Sequence, residues 1–115
     1  MPMEKWSNQV HVVRLLDDPQ FTDDLQLLED QIEKTATNAV LDFSSVHFIN
    51  SSNISRLLRL RKRAVSADLK LILCGIATQL WGTFLTTGLD KVFEFSDNVT
   101  TALATLQISA DRSAT

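Results

Sequence analysis

The sequence has few of the residues that build cross-linked or glycine-rich folds. Its 115 residues include one cysteine, three glycines, two prolines and no tyrosine. A single cysteine, Cys74, cannot form an internal disulfide, so we expect a reducing, cytoplasmic location. The glycines at positions 75, 82 and 88 supply neither a dinucleotide-binding fingerprint nor a phosphate-binding P-loop. These shortages exclude the nucleotide-dependent enzyme classes that are built on those loops.

Long apolar runs and excess positive charge are also missing. The longest apolar stretch, from Leu71 to Ala77, is far shorter than the roughly 18 residues of a membrane span, and no secretory signal is visible. The net charge of −3 argues against general nucleic-acid binding, which needs cations to neutralise phosphates. With 44% hydrophobic residues, the chain is expected to form one globular domain with no nucleic-acid partner and no direct membrane insertion.

Short apolar runs alternate with helical periods along the chain. Strands are predicted at Val10–Leu16, Ala39–Phe43, Leu69–Cys74 and Val92–Phe95. A helix is predicted after each strand, with N-caps at Thr22, at one of residues 50–53, at Thr78, and at Ser96 or Asp97. This alternation predicts an α/β fold with a mostly parallel sheet of four to five strands and about four helices. The domain is expected to span residues 10–106, between a polar segment at 1–9 and a flexible tail at 107–115.

The helical periods also predict the buried side chains. In chain order they are Leu25, Leu28 and Ile32; Ile54, Leu57, Leu58, Ala64 and Val65; Leu80, Trp81, Phe84 and Leu85; and Val99, Ala102, Leu103 and Leu106. The rest of the first helix is acidic, because seven of the 14 acidic residues lie between Asp17 and Glu33. Five of the 11 basic residues lie between Arg56 and Arg63, and Arg56, Arg59 and Arg63 are predicted on the exposed side of the second helix. That basic surface indicates either a solvated helix face or a site for an acidic protein partner; nucleic acid is disfavoured because no aromatic residues flank it.

Few residues offer catalytic or metal chemistry. The possible metal ligands are His11, Asp42, His47 and Cys74, and no two of them have the short spacing of a zinc pair. Ser51, His47 and Asp42 resemble a triad only in composition, because Ser51 lies outside a GxSxG elbow. We interpret His47 as a structural histidine, and Asp42 as a carboxylate that faces solvent at the sheet end or pairs with Ser44. The sequence therefore predicts no enzyme activity, no metal and no cofactor.

Two motifs carry a family resemblance. Residues 39–58, AVLDFSSVHFINSSNISRLL, and residues 87–93, TGLDKVF, resemble the STAS domain, the family of bacterial anti-sigma factor antagonists and of the cytoplasmic tails of sulfate transporters. In that family an apolar strand is followed by an Asp-Ser-Ser/Thr-Gly-Leu/Ile-Gly/Ala motif that opens a helix, and a "TGLDKLF" segment comes later. Here Asn50 stands in place of the motif's Asp, Asn53 in place of its Gly and Ser55 in place of its last small residue.

The resemblance implies a protein-interaction module that works in signal transduction and transcription regulation. Family members bind partner proteins, commonly an anti-sigma kinase that phosphorylates the serine after the motif's Asp. That serine corresponds to Ser51, with Ser52 as the second candidate. Residues 50–53 and the three exposed arginines are therefore the expected partner-binding residues. The alternative is a cytoplasmic STAS subunit of a membrane transport complex, which would bind an ATPase without phosphorylation.

Overall fold

The protein forms one five-stranded sheet with helices packed on it. The computed structural model describes the backbone of residues 3–6 and 10–114, and the side chains of residues 10–32 and 34–106. The strands are β1 (Met3–Trp6), β2 (Val10–Leu16), β3 (Asn38–Ser45), β4 (Leu71–Cys74) and β5 (Glu94–Ser96). The helices are α1 (Gln20–Thr35), α2 (Ser51–Ser66), α3 (Thr78–Thr86) and α4 (Val99–Ala114), with a short 3₁₀ helix at Leu89–Lys91.

The order of the strands in the sheet follows their order in the chain. β1 pairs antiparallel with β2, whereas β2, β3, β4 and β5 are parallel to one another. The predicted α/β fold with a mostly parallel sheet is therefore confirmed, and β1 is an additional strand that the polar composition of residues 1–9 did not indicate. Because β2 to β5 are parallel, their carboxyl ends lie at one edge of the sheet, where the four helices begin.

Alternate residues of the strands face opposite sides of the sheet. Val40 of β3 is paired in register with Val12 and Ile72, and these side chains pack with Ala102 and Leu106 of α4. The intervening residues, such as Leu41, face the larger core that α1, α2 and α3 cover. The central β3 is buried on both faces, as its continuous apolar run predicts.

Three helix starts differ from the prediction. α1 begins at Gln20 with Pro19 at the N-cap, and Thr22 lies inside the first turn, where its backbone N–H is bound by the Asp18 carboxylate at 3.1 Å. Thr78 is the first helical residue of α3, preceded by Ala77 at the N-cap. At α4 the side chain of Asn98 accepts the N–H of Thr101 at 2.8 Å, so the cap is neither Ser96 nor Asp97. At α1 and α4 several polar residues precede the helix and any of them can be mistaken for the cap, whereas at α3 the cap Ala77 is apolar and Thr78 is the first polar residue in that stretch.

The buried face of α2 is rotated from the predicted one. Its buried residues are Asn53, Leu57, Leu60 and Ala64, whereas Leu58 is 40% exposed and Val65 is 61% exposed. The prediction that Leu58 and Val65 are core residues is therefore wrong, as it is for the exposed Leu85 of α3. The prediction for Leu57, Ala64, Leu80 and Phe84 is confirmed. The local run Leu57-Leu58-Arg59-Leu60 fits two helix phases, and contacts of Asn53 with α1 select the one that buries Leu60.

The end of the chain is helical as far as Ala114. α4 thus includes most of the residues that the sequence analysis assigned to a tail. The flexibility of residues 107–115 stays a prediction.

Candidate functional site

The start of α2 lies at the carboxyl edge of the sheet, just after β3. Ser51 is the first residue of the helix, and both Ser51 and Ser52 are exposed. No hydrogen bond joins either hydroxyl to another side chain within the described residues. The backbone N–H groups of a first helical turn lack intrahelical acceptors, so this end of α2 has a partial positive charge. Ser51 is therefore accessible and stands where a negative group is tolerated.

Two asparagines cap the amino-terminal end of α2 with a reciprocal pair of hydrogen bonds. Asn50 Oδ1 accepts the N–H of Asn53 at 2.9 Å, and Asn53 Oδ1 accepts the N–H of Asn50 at 3.0 Å. This is a capping box, with asparagine in place of the usual Ser/Thr and Glu/Gln. Asn53 is only 2% exposed, although it stands where the family motif has glycine. Its side chain is part of the structure that fixes the backbone around Ser51.

Asp18 joins the starts of α1 and α2. Its Oδ2 accepts hydrogen bonds from Asn53 Nδ2 at 2.9 Å and from Asn50 Nδ2 at 3.3 Å. Its Oδ1 accepts the Thr22 hydroxyl at 2.7 Å and the Thr22 N–H at 3.1 Å. Hydrogen bonds from the side chains of Asn53 and Thr22 lower the pKa of Asp18 below its ordinary value. Position 50 has no carboxylate here, because asparagine stands in place of the motif's aspartate. The Asp18 carboxylate, from the loop before α1, lies within hydrogen-bond distance of the Asn50 side chain.

No local sequence pattern predicts the contacts of Asp18 with the start of α2. Asp18 is separated from Asn50 by 32 positions, and the run Asp17-Asp18-Pro19 reads as a turn. Asp18 lies two positions after the end of β2. Because the carboxyl ends of neighbouring parallel strands share one sheet edge, this position is the one sequence feature that indicates a place near the residues that follow β3.

The neighbouring Asp17 pairs with His47. Asp17 Oδ1 accepts the His47 N–H at 2.8 Å, and its Oδ2 lies 2.7 Å from His47 Nδ1. These hydrogen bonds from His47 lower the pKa of Asp17. Asp42 accepts the N–H of Ser44 at 3.0 Å, as one of the two predicted alternatives has it. Because His47 and Asp42 are engaged with different partners, they do not form a triad with Ser51.

The other chemically reactive residues are not gathered into a site. Burial, and to a smaller extent the charge of Asp42, raises the pKa of the Cys74 thiol to about 12, so the thiol stays protonated. Within the residues that the structure describes, no group of three or more His, Cys, Asp or Glu side chains is placed to hold a metal ion. The Nε2 atom of His11 lies 3.3 Å from Thr35 Oγ1.

The basic side of α2 is partly neutralised by α1. Arg63 Nε lies 2.9 Å from Glu29 Oε1, and Arg59 Nε lies 3.8 Å from the same oxygen. Glu29 is buried, so the acidic face predicted for α1 is not wholly solvated. Arg59 and Arg63 remain substantially exposed beside this carboxylate, and Arg56 is half-buried. Of the three arginines predicted on the exposed side of α2, Arg59 and Arg63 are exposed and lie beside Glu29, whereas Arg56 is less exposed than predicted.

Exposed apolar side chains accompany these polar groups. Phe48 is exposed in the loop that leads from β3 to Ser51, and Leu58 and Val65 are exposed along α2. Monomeric proteins leave single apolar side chains on the surface routinely, whereas large contiguous apolar patches mark interaction sites. None of the helices in the described part of the chain is long and apolar enough to cross a membrane.

The sequence matches a family model, and the fold is similar to that of solved structures. The family model of the STAS domain matches residues 16–102. The fold is similar to that of a Moorella thermoacetica RsbS variant with a serine-to-glutamate substitution, with a TM-score of 0.84 and 22% identity over 96% of this chain and 97% of that one. It is also similar to an anti-sigma-factor antagonist (STAS) domain protein from Planctomyces limnophilus, with a TM-score of 0.77 and 18% identity over 91% and 97% of the two chains.

A third similar structure is that of the Bacillus cell fate determinant SpoIIAA in its phosphorylated form. It has a TM-score of 0.71 and 18% identity to this chain, covering 90% of this chain and 96% of that one. No curated protein matches this chain in sequence. At these identities the solved structures show a shared fold.

Proposed function

Because this chain belongs to the STAS domain family, we propose that it is a non-enzymatic, cytoplasmic interaction module that acts like an anti-sigma factor antagonist in a partner-switching pathway. Its partner is a regulatory protein such as an anti-sigma kinase. The partner contacts the start of α2 and its basic side at Asn50, Ser51, Ser52, Arg56, Arg59 and Arg63. Asn53, which was also expected in the interface, is 2% exposed and holds these residues in place from below. Phosphorylation of Ser51 releases the partner.

The exposed Ser51 at the first position of a firmly capped helix carries this proposal. A kinase transfers the γ-phosphoryl group of ATP to Ser51 Oγ, the hydroxyl proton passes to the kinase, and ADP leaves. The product has about −1.5 to −2 charge units in place of a neutral hydroxyl. The positive end of α2 tolerates this charge, so the fold persists. A partner surface that packs on the same hydroxyl does not tolerate it, because the phosphate is bulky, hydrated and charged.

Asn50 and Asp18 together make the site suitable for such a kinase. The motif's Asp would place a negative charge next to the phosphorylated serine, and Asn50 does not. Asp18 lies 3.3 Å from the Asn50 amide and provides a carboxylate at this end of α2. We propose that Asp18 takes over the acidic role of the motif for a kinase that reads the surface rather than the local sequence.

Asn50 favours the alternative function. In that alternative the chain is a STAS subunit that binds the ATPase of a membrane transport complex without phosphorylation. Loss of the motif's acidic residue is what a site released from kinase recognition would show. The two functions differ in whether phosphate ever reaches Ser51.

The experiment is affinity capture from a lysate of the native bacterium, with wild type, Ser51→Ala and Ser51→Asp as baits. Mass spectrometry of wild type purified from the same cells measures phosphate on Ser51 and Ser52. The proposal expects phosphate on Ser51, an ATP-dependent kinase or other regulator captured by wild type and Ser51→Ala, and loss of that protein from Ser51→Asp. Equal capture by all three baits would overturn the assignment of the interface to Ser51. Capture of a transport ATPase with no phosphate on Ser51 would establish the alternative.

A further inference from the structure

A straight line of exposed side chains runs along the outer side of α2. It consists of Ser51, Ser55, Leu58, Lys62 and Val65, which we call the α2 ridge. All five are exposed. Successive members are four, three, four and three residues apart, the spacing at which one side of an α-helix faces a neighbouring helix. The ridge spans 14 helical steps, which is about 21 Å.

The α2 ridge points away from the core. The buried residues Asn53, Leu57, Leu60 and Ala64 occupy the opposite side of the helix. Leu58 and Val65 therefore expose large apolar surface that no described element of this chain covers. The two serines at the amino end are small, so another backbone can come close there. An apolar pair, small residues and a helical spacing are the features of a surface on which one helix packs.

Positive charge surrounds the ridge. The 16 residues of α2 include five basic side chains and no Asp or Glu. Glu29 of α1 offsets part of this charge through Arg59 and Arg63. On the other flank, Arg61 Nε donates a hydrogen bond to the Val92 carbonyl at 2.9 Å. Leu58, Arg59, Lys62, Arg63 and Ser66 border a shallow depression on the surface of α2 that is open to solvent.

From this pattern we propose that the α2 ridge is the docking surface for a single acidic amphipathic helix of a partner protein. Apolar residues of that helix pack on Leu58 and Val65. Its carboxylates lie opposite Lys62 and the flanking arginines. A second copy of this chain is a poor occupant, because α2 packed on α2 would set five basic residues against five. Two separated apolar side chains also provide too little continuous apolar surface to anchor the protein to a bilayer.

This inference rests on the proposed function and gives it a geometry. Ser51 is the amino-terminal end of the ridge, so a phosphate there would stand in the path of an acidic helix. Release of the partner then needs no change in the fold, because the new charge repels the carboxylates that the rest of the ridge attracts. The surface that binds the partner would therefore also contain the phosphorylated residue that releases it.

The test uses a fluorescently labelled helical peptide of about 20 residues, long enough to cover the ridge. Leucines in the peptide are alternately three and four residues apart, and most other positions are glutamate. A second peptide has lysine in place of glutamate. Fluorescence anisotropy gives the affinities, and backbone amide spectra of the isotopically labelled full chain locate the contact. We expect the acidic peptide to bind, to shift amides of residues 51–66, and to bind more weakly at high salt.

Paired variants decide whether the ridge is responsible. Leu58→Glu with Val65→Glu should weaken binding of the acidic peptide about tenfold or more. Leu85→Glu is the matched control, because Leu85 is similarly exposed, at 52%, but lies on α3. It should leave the affinity unchanged. Binding that is equal for the acidic and lysine peptides, insensitive to the ridge variant, or replaced by binding to phosphatidylglycerol vesicles would overturn the proposal. The amide spectra show in each case that the variant is folded.

Ser51→Asp separates the two proposals. We expect this substitution to lower the affinity for the acidic peptide several-fold, since it adds one negative charge at the end of the ridge. If the peptide binds the ridge with unchanged affinity in Ser51→Asp, the docking surface stands and phosphorylation is not its switch. If the peptide does not bind while Ser51→Asp still loses the native partner, the switch stands and the ridge proposal is overturned.

Discussion

Asp18 Oδ2 accepts a hydrogen bond of 2.9 Å from Asn53 Nδ2, and this contact ties the first turn of α2 to the residue two positions before α1. Asn53 contributes its amide to Asp18 and its carbonyl oxygen to the N–H of Asn50. One buried side chain thus sets both the position and the rotation of the helix that presents Ser51.

Replacing Asn53 should destabilise the domain. Asn53→Ala removes the hydrogen bond from the side-chain amide to Asp18 and one of the two hydrogen bonds of the capping box. We expect a loss of about 1–2 kcal/mol in the free energy of unfolding. Asn53→Gly, which restores the family's residue, should be destabilising as well because it loses the same bonds. Urea unfolding measures both. Ser52→Ala, in the exposed position beside it, is the control and should change the free energy of unfolding by less than about 0.5 kcal/mol. An Asn53→Gly variant as stable as wild type would show that the bond to Asp18 has no net value.

The stabilising effect of Asp18 should depend on pH. Its pKa is lowered in the folded protein, so the unfolded chain binds the proton more readily and stability falls as the pH drops below the ordinary aspartate value of about 3.9. Asp18→Asn should be less stable than wild type at neutral pH, and the difference should shrink as the pH falls through the folded-state pKa. Urea midpoints between neutral pH and about pH 3 measure this. Asp17→Asn serves as a comparison, because it removes a different carboxyl group whose pKa is lowered. The contribution of Asp18 to the pH dependence of stability should remain in this variant. A difference that stays constant over this range would contradict the assignment.

Asn50 and Asp18 should be energetically coupled. Asn50→Asp would place a second carboxylate beside Asp18, where Asn50 Nδ2 now donates a hydrogen bond. We expect this variant to lose stability at neutral pH, because like charges at this distance disfavour each other. Asp18→Asn combined with Asn50→Asp exchanges the two groups and should recover about 1 kcal/mol relative to the sum of the single changes. A double-mutant cycle by urea unfolding measures the coupling, and additive single effects would mean that the two side chains act independently.

The phase of α2 can be tested with two leucines two residues apart. Leu60 is buried, so Leu60→Ala should cost about 2–5 kcal/mol of unfolding free energy. Leu58 is on the exposed side, so Leu58→Ala should cost less than about 1 kcal/mol. Thermal or urea unfolding of the two variants provides a matched comparison of the same chemical change. Similar costs for both would mean that the helix is rotated relative to the structure described above.

Most of the architecture could be predicted because it follows from local patterns. The continuous apolar run around Val40 is typical of a strand buried on both faces, and the predicted strand that ends at Cys74 ends there in the structure, directly before Gly75. Gly75 adopts a φ of +70°, and a Cβ at this position would lie 2.8 Å from Asp42 Oδ1, so no other residue fits without strain. Ser51 was predicted at a helix start from the polar residues around it, and the structure places it in the first position of α2.

The sequence by itself determined the order of β2 to β5 and the four helices, their parallel pairing and a helix start within residues 50–53, because each depends on periodicity or on residues close together in the chain. Only the tertiary structure decided the role of Asp18, the pairing of Arg63 with Glu29 and the side of α2 that faces solvent. The run Leu57-Leu58-Arg59-Leu60 is compatible with two helix rotations, and no local preference distinguishes them. The choice is made by contacts across more than 30 residues of chain, such as the bond between Asn53 and Asp18 at a separation of 35, which form only when β2 and β3 bring their carboxyl ends to one edge of the sheet.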